Sequence, residues 1–453
     1  MIFLNKFKNS ILLAIFTTIF TFSTSISAGS SSETKTLSVK EKENLEAFFK
    51  DLEAFTVVYS KIKGLYVEDA DNKELFADAI KGMVSGLDPH SVYLEPKEQK
   101  NLLESASGKF GGLGIVITKQ EDAIQVISPI DDTPAYKAGI QAGDKIIKIN
   151  DKLVRGMTLE EGVDLMRGKP GTDIEVTILR KDTKPFVVKI TREIITIISV
   201  KGYLLEDGIG YVRVSSFQRP TSNLLEETIE RLKEENDGYL NSLILDLRNN
   251  PGGVLDGAID VSNLFLDDVG TIVYTKGRVP GSNTKFVADS GDILDDSPMV
   301  VLINKGSASA SEIVAGALQD HKRAIIMGDT SFGKGSVQTI LELKEGYGLK
   351  ITTARYYTPN DRSIQAKGIV PDIKLKNIKL GKEEQDSIVE TQESDLEGHL
   401  KVEDPSKLSD KEILDAQESK KSEESKKVLA KLEKDYFVLQ ARNLLKALTV
   451  LKK

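Results

Sequence analysis

Two short stretches carry residue types that could do covalent chemistry: Asn304-Lys305-Gly306-Ser307-Ala308-Ser309-Ala310-Ser311-Glu312 and Phe332-Gly333-Lys334-Gly335-Ser336-Val337-Gln338. In the first, Ser309-x-x-Glu312 is a capping-box pattern, and Ile313, Val314, Ala317 and Leu318 follow at the spacing of a buried helical face. A serine at such a helix start lies among N–H groups with no intrahelical partner, at the positive end of the helix dipole, where a developing oxyanion is stabilised. The pattern also reads as a plain cap. Ser307 and Ser311 flank the position, so spacing alone leaves the choice of serine open.

A serine hydroxyl is a weak nucleophile and needs a base. Histidine is the usual one, and the chain has three: His90, His321 and His399. His321 falls at the far end of the helix that Ser309 opens, roughly 18 Å away at 1.5 Å per residue. His90, in a distant part of the chain, stays open. Lys334, in a glycine-flanked turn before a strand, is the better candidate. It acts as a base only when neutral, so its pKa must fall from about 10.4, which burial among apolar groups achieves. Ile325, Ile326, Phe332 and Val337 are the expected walls of that pocket. Gln338, four residues on in an extended chain, faces the same side and is placed to aim the amine. The alternative is an exposed turn lysine.

The oxyanion needs donors. One is the N–H of Ala310. A second is expected from Gly252 or Gly253, in Leu247-Arg-Asn-Asn-Pro-Gly-Gly253, a strand end where backbone can approach a ligand closely. That stretch also reads as a simple turn into the next helix. Gly328–Gly335 nearly matches the phosphate-loop pattern GxxxxGK[ST]. Gly335 stands where the hydroxyl is required and a strand follows, so nucleotide binding is not expected.

Around these motifs the periodicity changes along the chain. Leu45, Phe48, Phe49, Leu52 and Phe55 form a helical stripe, read as core packing, and a second helix is expected from about Lys73 to Met83. From Phe110 to Glu193 short β-branched runs alternate with glycine and proline turns, with helices expected at Pro134–Ala138 and Thr158–Met166. From Gly208 strands and helices alternate: strands at Ile209–Val214, Leu243–Leu247, Met299–Ile303 and Ala324–Met327, helices at Thr221–Glu235, Val254–Leu266 and Ser309–Gln319. That is an α/β layered core. Val337–Leu343 and Leu349–Tyr356 read as a hairpin. Residues 380–425 are strongly charged, as a linker would be, and helical spacing returns over Ser425–Leu451. That last helix either docks on the body or makes a homodimer contact.

At 453 residues the chain should hold two or three domains. A formal charge of −8 argues against nucleic acid as the main partner. There is no cysteine and no HExxH pair, so neither a disulfide nor a zinc site is expected. Lys6 and Lys8 precede an apolar run, Ile11–Phe22, and a small-residue zone, Ser23–Ser32. This is an export signal with cleavage near Ser27 or Ala28. Retained, it would act as an interfacial anchor and give peripheral membrane association.

Gly306-Ser-Ala-Ser-Ala-Ser-Glu-Ile313, Gly328–Gln338 and Asp246-Leu-Arg-Asn-Asn-Pro-Gly-Gly253 closely resemble the motifs of the C-terminal processing peptidases, or tail-specific proteases. The resemblance spans about residues 40–375 and includes Gly86-Leu-Asp-Pro-His90. It implies that Ser309 is the nucleophile, Lys334 its base and Gln338 their support. Phe110-Gly-Gly-Leu-Gly-Ile115 and Ser128–Asn150 resemble a PDZ domain, whose carboxylate-binding loop would be Gly111, Gly112, Leu113, Gly114 and Ile115. Glycine-loop N–H groups suit a terminal carboxylate, and a bound peptide adds a strand to a sheet edge.

The expectation is therefore a multidomain α/β protein. Its parts are a signal peptide (1–28), an N-terminal helical region (29–108), a PDZ domain (109–192), a serine protease core (193–375), and a charged linker with a C-terminal helical region (376–453). It would be an exported endopeptidase of the periplasm or cell envelope, acting without metal or cofactor on proteins with apolar C-termini. Rival readings are a non-catalytic PDZ adaptor or chaperone, a crotonase-type enzyme acting on thioesters, and a serine hydrolase using His90.

Overall fold

The computed structural model describes residues 38–375 and 425–452, apart from 121, 131 and 182. The expected export signal and the charged stretch 376–424 lie outside the described residues. The chain divides into compact units at 1–79 and 80–453. In the first, helix α1 (Val39–Leu65) is followed by the start of α2 (Asn72–Ser85). Phe76 meets Tyr59 and Phe55, with ring centroids 5.1 and 6.1 Å apart. The stripe read as core is not one within this unit, because two helices offer too little surface to enclose it: Phe48 and Phe55 are 58% and 42% exposed.

The second unit adds strand β1 (Val92–Leu94) and helix α3 (Pro96–Ser107). A small β domain follows, with elements in the order β2 (Lys109–Gly112), β3 (Ile115–Gln120), β4 (Ala123–Pro129), α4 (Pro134–Lys137), β5 (Lys145–Ile149), β6 (Lys152–Leu153), α5 (Leu159–Met166), β7 (Asp173–Leu179), β8 (Phe186–Thr191) and β9 (Glu193–Thr196). Strands β3-β4-β5-β7-β8 form one antiparallel sheet, so β3 is an edge, and β2 pairs with β9. Alternate residues Ile174, Val176 and Ile178 of β7 are buried with Ile124, Ile146 and Ile149 in this domain's own core. Thr158 caps α5 by accepting the Glu161 N–H at 3.1 Å.

The larger core contains β10 (Val200–Leu205), β11 (Ile209–Val214), α6 (Thr221–Glu234), β12 (Ser242–Asp246), α7 (Leu255–Asn263), β13 (Thr271–Gly277), β14 (Lys285–Val287), β15 (Met299–Ile303), α8 (Ala310–Asp320), β16 (Ile325–Gly328), β17 (Ser336–Glu342), β18 (Gly348–Tyr357) and β19 (Ile373–Lys374). Its main sheet runs β10-β11-β12-β15-β16-β19, parallel except for the first pair. Strands β12 and β15 are buried along their whole length, as strands covered on both faces must be. Leu243, Leu245, Val301 and Ile303 share one core with residues of α6, α7 and α8. Ile244, Val300 and Leu302 face the other way, onto Val438, Ala441 and Leu445 of α9 (Tyr436–Lys452). Of the two roles open for the C-terminal helix, docking on the body is therefore the one observed. A second sheet, β1-β18-β13-β14, carries the expected hairpin, β17 pairing with β18.

Candidate active site

Strand β15 leaves the sheet and turns through 304–308 into α8, and this strand–turn–helix junction holds Ser309. Its backbone, φ 53° and ψ −111°, lies where residues with a side chain rarely sit. The structure separates the three serines that spacing could not. Ser307 and Ser311 are fully buried and their hydroxyls donate to the carbonyls of Leu247 and Asn250 at 2.8 and 2.9 Å. Ser309 is partly exposed and its hydroxyl bonds the phenol of Tyr356.

Glu312, fully buried in the first turn of α8, does more than cap the helix. Its Oε2 accepts the N–H of Ser309 at 2.7 Å and of Lys334 at 2.9 Å, while Oε1 accepts the Ser331 hydroxyl and the Gly333 N–H, both at 2.6 Å. Burial pushes this carboxyl's pKa up, against the pull of those four bonds. One side chain thus fixes both the Ser309 backbone and the loop that bears Lys334. The capping-box pattern revealed the first of these tasks, but the second depends on how the strands pack.

The Lys334 amine donates to Gln338 Oε1 at 2.6 Å, and Gln338 Nε2 donates to Ser336 Oγ at 2.9 Å. Among the described residues no hydrogen bond joins the amine to the Ser309 hydroxyl. Desolvation, with the nearby Lys350 cation, holds the Lys334 pKa below the usual lysine value, while Glu312 and Asp88 oppose that shift. The pocket differs from the expected one. Phe332 is 63% exposed and so does not wall it, whereas the polar turn Asp88–Ser91 approaches from the start of the second unit. His90 is brought there too, and burial together with the Lys334 charge disfavours its protonation. His321 bonds the Thr271 carbonyl through Nε2 at 2.7 Å. The chain after Lys334 continues as strand β17, so no helix N-terminus follows the loop that mimics a phosphate site.

Tyr356 had no signal in the sequence beyond its place in the hairpin. It is buried, its hydroxyl donates to the Lys334 carbonyl and its N–H donates to Gly335 O at 3.0 Å. Burial pushes the phenol's pKa well up, so it stays protonated.

Gly252 lies directly under Ser309 at φ +101°. A Cβ there would come within 2.8 Å of Ala308 O and 2.9 Å of Ser309 Cβ. Its N–H donates to Asn250 Oδ1 at 2.9 Å. Among the described residues, the N–H groups of Ala310 and Gly253 have no acceptor.

The expected carboxylate loop is divided. Gly111 and Gly112 are strand residues paired with Ile194 and Glu193, and Ile115 opens β3. The turn itself is Leu113-Gly114. Leu113 is buried, Gly114 has φ +77°, and neither N–H has an acceptor among the described residues. Helix α5 is tied to α3 by the ion pairs Asp164–Lys97 and Arg167–Glu104.

Comparison with known proteins agrees with this layout. Residues 208–375 match the model of peptidase family S41, residues 125–180 a PDZ domain, and residues 14–98 the N-terminal domain of activating protease CtpB. A carboxy-terminal-processing protease of Bartonella bacilliformis is 47% identical over 360 residues, 79% of this chain and 82% of its own length. Among solved structures, the photosystem II D1 C-terminal processing protease is 31% identical, covers 71% of this chain and 86% of its own, and has a TM-score of 0.42. The PDZ domain of a carboxy-terminal protease from Vibrio cholerae, solved with a peptide, is 27% identical over 20% of this chain and 99% of its own, at a TM-score of 0.19. Fold and sequence together define a serine-type peptidase with an inserted PDZ domain. The chain belongs to the carboxy-terminal-processing proteases of family S41.

Proposed function

We propose that this peptidase is an exported endopeptidase that captures the apolar C-terminal tail of a protein on its PDZ domain and cleaves the chain with a Ser309/Lys334 dyad. The observation that carries this reading is the shared carboxylate of Glu312, which holds the N–H groups of Ser309 and Lys334 at 2.7 and 2.9 Å. Neutral Lys334 takes the Ser309 proton as Oγ attacks the scissile carbonyl. The N–H groups of Ala310 and Gly253 receive the oxyanion, with Gly252 shaping the hole from beneath. The lysine passes its proton to the leaving amine, then deprotonates the water that hydrolyses the acyl-enzyme, which frees the new C-terminus and regenerates Ser309. Gln338 orients the amine throughout.

For tail capture, the Leu113 and Gly114 N–H groups are placed to bind a carboxylate, flanked by Gly111, Gly112 and Ile115, and the β3 edge can accept a strand. The α3–α5 ion pairs offer a route by which tail binding would bias the catalytic face. The same reading places the protein in the periplasm or cell envelope.

The test is cleavage of one protein with and without an apolar C-terminal extension, by the native chain, Ser309→Ala and Lys334→Ala. The reading requires tail-dependent products from the native chain alone. Tails bound but left intact by the native chain would favour the adaptor instead.

A further inference from the structure

The turn from Gly86 to Ser91 is not used by the dyad, yet it closes on the far side of the base. Continuous hydrogen bonds run from Lys334 to this turn. The Lys334 amine donates to Gln338 Oε1 at 2.6 Å and Gln338 Nε2 donates to Thr352 Oγ1 at 3.3 Å. The Thr352 hydroxyl faces the Asp88 carboxylate and favours its ionised form. A parallel route runs from the Thr352 N–H to Ser91 Oγ at 3.1 Å and from the Ser91 hydroxyl to Asp88 Oδ2 at 2.7 Å. Asp88 Oδ1 is fixed by the N–H groups of His90 and Ser91 at 2.8 and 2.9 Å. Strand pairing creates this approach, since β17–β18 sets Gln338 opposite Thr352 and β1–β18 sets Val92 opposite Lys350. Ser91 is 3% exposed, and Asp88, Gln338 and Thr352 are half-buried.

We propose that Asp88 is a positioning residue for the base, acting through Thr352 and Gln338 to decide which end of the Gln338 amide faces Lys334. The proposal rests on Lys334 being that base. An ionised carboxylate only accepts. Thr352 must therefore give Asp88 its proton and accept from the Gln338 amide nitrogen, which leaves the Gln338 carbonyl for Lys334. A carbonyl takes an N–H of the amine and leaves its lone pair free for the serine proton. The flipped amide would present an N–H to that lone pair and quench it.

Asp88→Asn keeps an oxygen for the His90 and Ser91 N–H groups but can donate to Thr352, so the chain of bonds can reverse. The expected result is kcat down by about 10- to 100-fold with KM little changed, the scale of a misplaced general base. The groups facing Lys334 are Asp88 and His90 from the turn, Glu312 from α8 and Lys350 from β18. Asp88 raises the proton affinity of Lys334, so its neutralisation moves the acid limb of kcat/KM to lower pH. A purely structural defect leaves that limb in place. Thr352→Val should lower kcat similarly with the limb unmoved, Thr352→Ser should restore it, and the double variant should be no worse than Asp88→Asn alone. If Asp88→Asn does not fold, Thr352→Val and Thr352→Ser decide. Unchanged kcat in Asp88→Asn and Thr352→Val, with Lys334→Ala inactive, overturns the proposal. Activity in Lys334→Ala instead overturns the dyad on which it stands.

Discussion

At the scale of single residues, the site holds a partly exposed serine and a lysine whose charge is disfavoured on one shared carboxylate. Ser309→Ala and Lys334→Ala should each lower kcat/KM by about 10³-fold or more, as loss of a nucleophile or general base does, measured on a tailed substrate. The proposed dyad requires a neutral Lys334, so activity should rise with pH through its folded-state pKa, which lies below the ordinary lysine value. Linkage fixes the sign for stability. The unfolded chain binds more protons than the folded one between that depressed pKa and about 10.4, so the burial penalty is present at neutral pH and fades as pH rises through the window. Lys334→Met should therefore be inactive yet melt higher than the native chain near neutrality, by a margin that shrinks toward pH 10. An equal margin at all pH values would show that the amine is not desolvated. Glu312→Ala strips acceptors from three N–H groups and the Ser331 hydroxyl. At about 1–3 kcal/mol for each buried group left unsatisfied, urea unfolding should show a large loss of stability. Ser309, Lys334 and Gln338 stood as candidates in short motifs, but local spacing left Ser307 and Ser311 open beside Ser309, and it was the family resemblance that singled the three out. Tyr356 and the second task of Glu312 could not be picked out, because nothing local couples them to the loop they hold.

At the scale of elements, most strands and helices announced themselves by period. The helices expected at Thr158–Met166 and Ser309–Gln319 each begin one residue later, at Leu159–Met166 and Ala310–Asp320. The strands β1, β10, β13 and β14 went unread, and of these β1 pairs with β18, far along the chain, while β10 pairs with the neighbouring β11 and β13 with the neighbouring β14. The PDZ element gives its own prediction. Gly114 has φ +77°, and a Cβ there would fall 2.2 Å from Thr133 Cβ. Gly114→Ala should therefore distort the turn that offers the Leu113 and Gly114 N–H groups and weaken binding of an apolar-tailed peptide by about tenfold or more, since strain of this kind costs roughly 1–3 kcal/mol. Titration calorimetry would check this, and undiminished affinity would place the carboxylate elsewhere. Removing residues 110–192 should change turnover of a short untailed peptide if the α3–α5 ion pairs couple the two domains.

At the scale of the whole molecule, the main sheet is sealed on its second face by the C-terminal helix. Leu445 is fully buried there, so Leu445→Ala should cost about 2–5 kcal/mol of unfolding free energy while leaving kcat at low temperature unchanged. Arg248 bonds both Asp246, at the end of β12, and Asp435, at the start of this helix, which ties the seal to the strand leading into the Asn250–Gly253 loop. Among the described residues no helix is long and apolar enough to cross a membrane.

By itself the sequence marked the order of the segments, the periodicity of each and a short set of candidate residues for peptide-bond chemistry, because periodicity, caps and turns are short-range physics. Only the tertiary structure decided which serine stays partly exposed and that the turn bearing Asp88 ends beside Lys334. Ser91 and Thr352 stand 261 positions apart. Their meeting follows from strand order and loop closure, which depend on packing of the whole sheet and leave no mark in any local window of the chain.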